Sequence, residues 1–180
     1  MMARMKSFIV AVTLVLVASI ARAQTPSAET YTGTLTRSWQ RVARIVAASA
    51  EAMPEAGYSF KPSPDVRTFG ELIGHLAEEH YMICAGAKGE KNPKDGVAFE
   101  KIAAKPELVK AINDSNAYCD AAYAAAKDEP KTITSFSETR RDTPFRVMLL
   151  NVTHDAEHYG NIITYLRMKG LVPPSSTPTR

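Results

Sequence analysis

The sequence predicts an all-α chain folded as a four-helix bundle, on three observations. Proline, which breaks a helix interior, falls only between four long segments or at their first turns. Within those segments apolar residues recur at three- and four-residue steps, the period of an amphipathic helix. Sustained apolar–polar alternation, the mark of a half-buried strand, is missing apart from a weak run at 132–136.

The first segment, about 29–53, carries Leu35, Trp39, Val42, Val46, Ser49 and Met53 on one stripe. The second, 69–88, opens with Thr68 and Glu71 at the spacing of a capping box. Its stripe is Phe69, Leu72, Leu76, His80, Ile83 and Ala87. The third opens at Pro106, a good first-turn residue, and runs through Leu108, Ile112, Ser115, Cys119, Ala122 and Ala126 to about residue 127. The fourth takes Thr143 as N-cap and Pro144 as its first residue, and reaches Lys169. Gly170 supplies the left-handed stop, with Pro173 and Pro174 beyond it. Its apolar stripe is Phe145, Leu149, Val152, Ala156, Tyr159, Ile163 and Leu166. The connections at about 54–67, 89–105 and 128–142 exceed the usual length of roughly 4–6 residues. They are long enough to run the length of a bundle or to close over a site, so an up-down-up-down order is not required. The tail from Ser175 is expected to be loose.

A formal net charge of +3, from 22 Lys plus Arg against 19 Asp plus Glu, suggests a basic protein. Arg4, Lys6 and Arg22, however, lie in a leading stretch without Asp or Glu, and setting them aside leaves 19 against 19. That stretch has a cationic start, an apolar run at 8–20 and a small-x-small step at Ala21-Arg22-Ala23, the pattern of a cleaved export signal over 1–23. The run is short for a membrane span, which needs about 20 residues, so an uncleaved anchor is the weaker alternative. Residues 24–180 then form one domain, with an ordered core at about 29–172, neutral overall and expected outside the cytoplasm, periplasmic or secreted. Neutrality leaves no basic patch for nucleic acid or an anionic membrane. Cys84 and Cys119 allow one intramolecular pairing in such a compartment. A disulfide and two buried free thiols remain open alternatives.

All four histidines fall on two helices. His154 and His158, four apart, project from one helical face and suit neighbouring positions around one metal ion. The wheel of the fourth helix puts them nearly opposite its apolar stripe, with Val147, Asn151, Asn161 and Tyr165. This face lacks Lys and Glu, so it reads as the wall of a polar cleft or as a contact in a homodimer. His75, off the centre of its own stripe, completes a set of three nitrogens if it faces the fourth helix. His80 reads as a core histidine satisfied by a hydrogen bond. Three neutral imidazoles suit Zn, Ni, Cu or Fe, and three protein ligands leave positions open for chemistry. Glu79, four after His75, is a candidate to orient that ring or to add a ligand. Glu79 and Glu157 are general-base candidates by nearness in sequence. Asn161 is a candidate to hydrogen-bond a ligating ring or a bound group.

Thr68 to Leu76 (TFGELIGHL) resembles the first metal motif of the DinB/YfiT-like superfamily, and His154 to Gly170 (HDAEHYGNIITYLRMKG) its closing helix. Tyr58-x-Phe60-x-Pro62 is also similar to family members. The resemblance implies a four-helix bundle holding a divalent metal, usually Zn or Ni, on His75, His154 and His158. Asn161 departs from the glutamine common there, and an export signal is unusual beside the many cytoplasmic members. Family activities are largely transfers or isomerisations that use a low-molecular-weight thiol, and other members are described only as metal-dependent hydrolases. The family name implies no DNA contact. The expectation is a metal-dependent hydrolase or thiol-dependent transferase acting on a small molecule. The alternative is a non-catalytic exported metal-binding or stress-related interaction protein, whose site would be saturated, for instance by Glu79.

Overall fold

The computed structural model describes residues 30–137 and 139–177, and the expected export signal at 1–23 lies outside them. Four helices dominate: α1 (Tyr31–Ala52), α2 (Phe69–Lys88), α3 (Lys105–Ala125) and α4 (Pro144–Met168). The weak run at 132–136 contributes β1 (Ile133–Thr134), which pairs antiparallel with β2 (Arg141–Asp142). Short 3₁₀ turns sit at Glu55–Gly57, Phe99–Lys101 and Pro174–Ser176.

Local chemistry sets the helix ends. Thr68 Oγ1 accepts from the Glu71 amide at 3.2 Å, and the Glu71 carboxylate accepts from the Thr68 amide at 2.7 Å, so both halves of the capping box form. Pro106 and Pro144 sit in first turns, where a missing N–H costs nothing. Gly170, at φ 72°, takes the left-handed turn that ends α4.

Packing explains the long connections. α1 packs on α3 and α4, and α2 packs on the same two helices, so α1 and α2 lie diagonally across the bundle. The first and third connections each cross a diagonal. Trp39, Val46, Phe69, Ile73, Leu76, Leu108, Ile112, Met148, Ile162 and Leu166 fill the centre. A disulfide joins Cys84 on α2 to Cys119 on α3, with Cα atoms 5.4 Å apart. Among the described residues, no helix is long and apolar enough to cross a membrane.

Two sequence expectations need correction. The buried face of α4 is turned from the apolar stripe: Phe145 and Leu149 are about 40 % exposed, whereas Val147, Asn151 and Asp155 are fully buried. Asn151 Nδ2 donates to the Tyr123 hydroxyl at 3.4 Å and Asp155 pairs with His80, so polar residues occupy the middle of a core face. His154 and His158 therefore flank the core in the groove between α2 and α4. Nor is the tail loose at Ser175, whose amide donates to the Tyr159 hydroxyl at 3.0 Å.

Candidate metal centre

The site begins with a close approach on α2. Gly74 has no Cβ, and one built there would lie 2.5 Å from the Phe99 carbonyl oxygen and 2.8 Å from the Glu100 amide nitrogen. The 3₁₀ turn at Phe99–Lys101 can thus press directly onto the helix, held by the Phe99 ring stacked on Tyr81 at 5.8 Å. This brings Glu100 beside His75. His75 Nδ1 donates to Glu100 Oε1 at 2.9 Å, which leaves Nε2 with the free lone pair. Arg67 grips the same carboxylate through two bonds of 3.1 Å, and the Arg67 carbonyl accepts from the Tyr165 hydroxyl on α4 at 2.6 Å. Replacing Gly74 with alanine is expected to push the turn away and cost about 1–3 kcal/mol by overpacking. A melting temperature within a degree of the parent would show that the approach is not tight.

α4 supplies the other two rings on successive turns. His154 Nε2 and His158 Nε2 lie 3.1 Å apart, and the His75 ring centroid is 5.3 Å from that of His154 and 4.9 Å from that of His158. One ligand atom from each of the three lies within 4.8 Å of the others. The donor set fits a metal ion. Metal–imidazole bonds of about 2.0–2.1 Å place neighbouring ligand nitrogens roughly 3.0–3.4 Å apart. The Nδ1 atoms of His154 and His158 are buried without a hydrogen-bond partner, although Asp155 Oδ1 lies 3.9 Å from the former. Burial, the Arg67 charge and then the neighbouring His158 push the His75 pKa down to about 4. Burial, followed by the His154 charge, also lowers that of His158. Both rings are neutral at neutral pH, the form in which imidazole binds a metal.

The remaining candidates separate cleanly. Glu79 is half-buried and does not bond His75; it lines a cavity with His154, and burial above all raises its pKa. Glu157 is exposed, and its charge works to raise the His158 pKa against burial. Asn161 is exposed and lines a second cavity, of about 630 Å³, with His158, Arg67 and Tyr165. His80 lies in the core, bonded to Ser115 and Asp155. Ser115, His80 and Asp155 make a hydroxyl–imidazole–carboxylate series, but all three are fully buried, so no substrate reaches the hydroxyl. Sequence reasoning missed Glu100 and Arg67. The one sequence signal for Glu100 is Phe99, an aromatic anchor in a long polar connection.

The family model of the DinB superfamily matches residues 34–162, a span that includes all three clustered histidines. Among solved structures, a DinB-like protein from Bacillus cereus ATCC 10987 is similar in fold, with a TM-score of 0.65. The likeness covers 81 % of this chain and 97 % of that one, at 16 % identity. The comparison with curated proteins gave no match.

Proposed function

The chain belongs to the DinB superfamily, and on that premise we propose that His75, His154 and His158 bind a divalent metal ion for hydrolysis or thiol transfer on a small molecule. The observation that carries the reading is the meeting of three imidazole nitrogens from two helices. Imidazole donors favour Zn or Ni over the hard cations Mg and Ca. A metal held there supplies Lewis acidity that makes water or a thiol nucleophilic at neutral pH.

The protein's own residues do the rest. Glu100 fixes the tautomer and aim of His75, and Arg67 in turn holds Glu100. Glu79 shares a cavity with His154, which supports it over the exposed Glu157 as the candidate to take a proton from the nucleophile. Among the described residues no fourth side chain joins the three rings, which supports an open site over a saturated one. The export expected of residues 1–23 favours hydrolysis, because low-molecular-weight thiol cofactors are mainly cytosolic.

Metal analysis of protein purified without a histidine tag tests this directly. About one equivalent of Zn or Ni is expected in the parent. His154→Ala is expected to lose it while keeping its helical circular dichroism. Glu100→Gln is expected to weaken metal affinity by about 10- to 100-fold, the usual effect of removing a ligand's orienting partner. Full occupancy in His154→Ala overturns the assignment.

A further inference from the structure

The groove between α2 and α4 continues past His154 into a cavity of about 300 Å³, the lower end of the ligand-pocket range. Met82 on α2, Phe136 on the β1–β2 loop and Leu150 on α4 form its apolar walls, and Glu79 and His154 share it. These three apolar side chains are 37 %, 36 % and 38 % exposed. A single exposed hydrophobic residue needs no explanation. Three that converge beside a cluster of metal-ligand type do.

Phe136 is held there against its backbone preference. Its φ is 60°, and among the described residues it is the one non-glycine residue with positive φ. The Ser137 amide donates to the Ser135 carbonyl at 2.7 Å, closing a γ-turn around it, a rare and strained geometry. The ring lies against Gly86, where an added Cβ would come within 3.4 Å of it, and the Arg140 guanidinium sits 4.9 Å from its centroid. An aromatic residue in a strained turn, packed on a glycine and capped by an arginine, has a fixed position. Collapse of the ring into the core would relieve its exposure, yet the turn keeps it at the groove.

We infer that this groove takes the apolar chain or ring of a small-molecule substrate whose polar end reaches the histidine cluster. The inference rests on the metal reading above and adds a substrate class to it. His154 links the two, because it is both a wall of the cavity and a member of the cluster. The other cavity beside the cluster, at His158 and Asn161, mixes Pro62, Val66 and Leu72 with Asp65, Arg67 and Thr164, a more polar lining than that of this groove.

The test uses two probes that share a chelating head, acetohydroxamate and octanohydroxamate, titrated calorimetrically into the zinc-loaded protein. Each buried methylene tightens binding about fourfold, so octanohydroxamate is expected to bind roughly 50-fold or more tightly than acetohydroxamate. Phe136→Gly, which suits the positive φ, and Leu150→Asn are each expected to cut that ratio about tenfold. Both should leave acetohydroxamate affinity and zinc content unchanged. Equal affinity for the two probes in the parent, with zinc bound, overturns the groove and leaves the metal reading standing. So does a ratio that neither substitution alters. A protein that binds neither zinc nor acetohydroxamate overturns both readings together.

Discussion

Asp155→Ala is expected to lower the melting temperature by roughly 6–20 °C. Asp155 and His80 are both fully buried. His80 Nε2 faces the two carboxylate oxygens at 2.9 and 3.0 Å, and His80 Nδ1 faces Ser115 Oγ at 3.0 Å. The Ser115 hydroxyl donates to the Ile112 carbonyl, so its oxygen accepts from the ring. Both ring nitrogens therefore meet acceptors. Trp39 packs edge-on against the ring at 5.0 Å and seals it from water.

Such a pair adds little over a well-packed apolar one, but removing a single partner strands the other and costs about 3–5 kcal/mol. Asp155→Asn, which keeps the volume and one acceptor, is expected to lose less. Acid dependence follows the same logic. Burial works to raise the Asp155 pKa, but the facing His80 and its bond, with the nearby His154 ring, outweigh it and hold the carboxyl below its ordinary value. A depressed native pKa means the contribution is fully present above the unfolded value of about 3.9 and fades as pH falls through the native one. The carboxylate's share of the gap between parent and Asp155→Ala should thus be fully present from about pH 5 to 7 and fade only in stronger acid. A melting temperature of Asp155→Ala within 2 °C of the parent at pH 7 would remove the pair from the account of stability.

The same pair explains where the sequence was legible. Helix ends were readable because caps and prolines act locally: Thr68, Glu71 and Gly170 form their bonds whatever else the chain does. The orientation of α4 was not, because a stripe drawn through apolar residues passes over Asn151 and Asp155. These lie on the core side only because His80, Tyr123 and the α2–α3 disulfide wait there to satisfy them. The His154–His158 pairing was visible in its four-residue step. That His75 meets them depends on α2 packing beside α4, an order that the long connections permit without specifying. Glu100 was the least legible. It reaches His75 from 25 residues away through a backbone approach that one glycine allows.

Reduction of the Cys84–Cys119 disulfide is expected to lower stability by roughly 4 kcal/mol, the loop-closure value for a link of this length. The bridge spans 35 residues and ties α2 to α3 across the second long connection. Cys84 and Cys119 are 1 % and 0 % exposed, so reductant reaches the sulfurs only when the bundle opens. Comparing the oxidised and reduced parent chain avoids any change in side-chain volume, which a cysteine replacement would bring. Trp39, the only tryptophan, is fully buried and stacked on Tyr123 at 5.2 Å, so its fluorescence reports the loss of the core. Urea unfolding followed this way should show a lower midpoint in the reduced protein, and identical midpoints would refute the prediction. The slope carries the mechanism. If the crosslink acts on the unfolded chain, reduction lets that chain expand and expose more surface, so the dependence on urea steepens. A lower midpoint at unchanged slope would instead place the loss in the packing of α2 against α3, where Asn151 Nδ2 approaches both sulfurs at 3.8 and 3.9 Å.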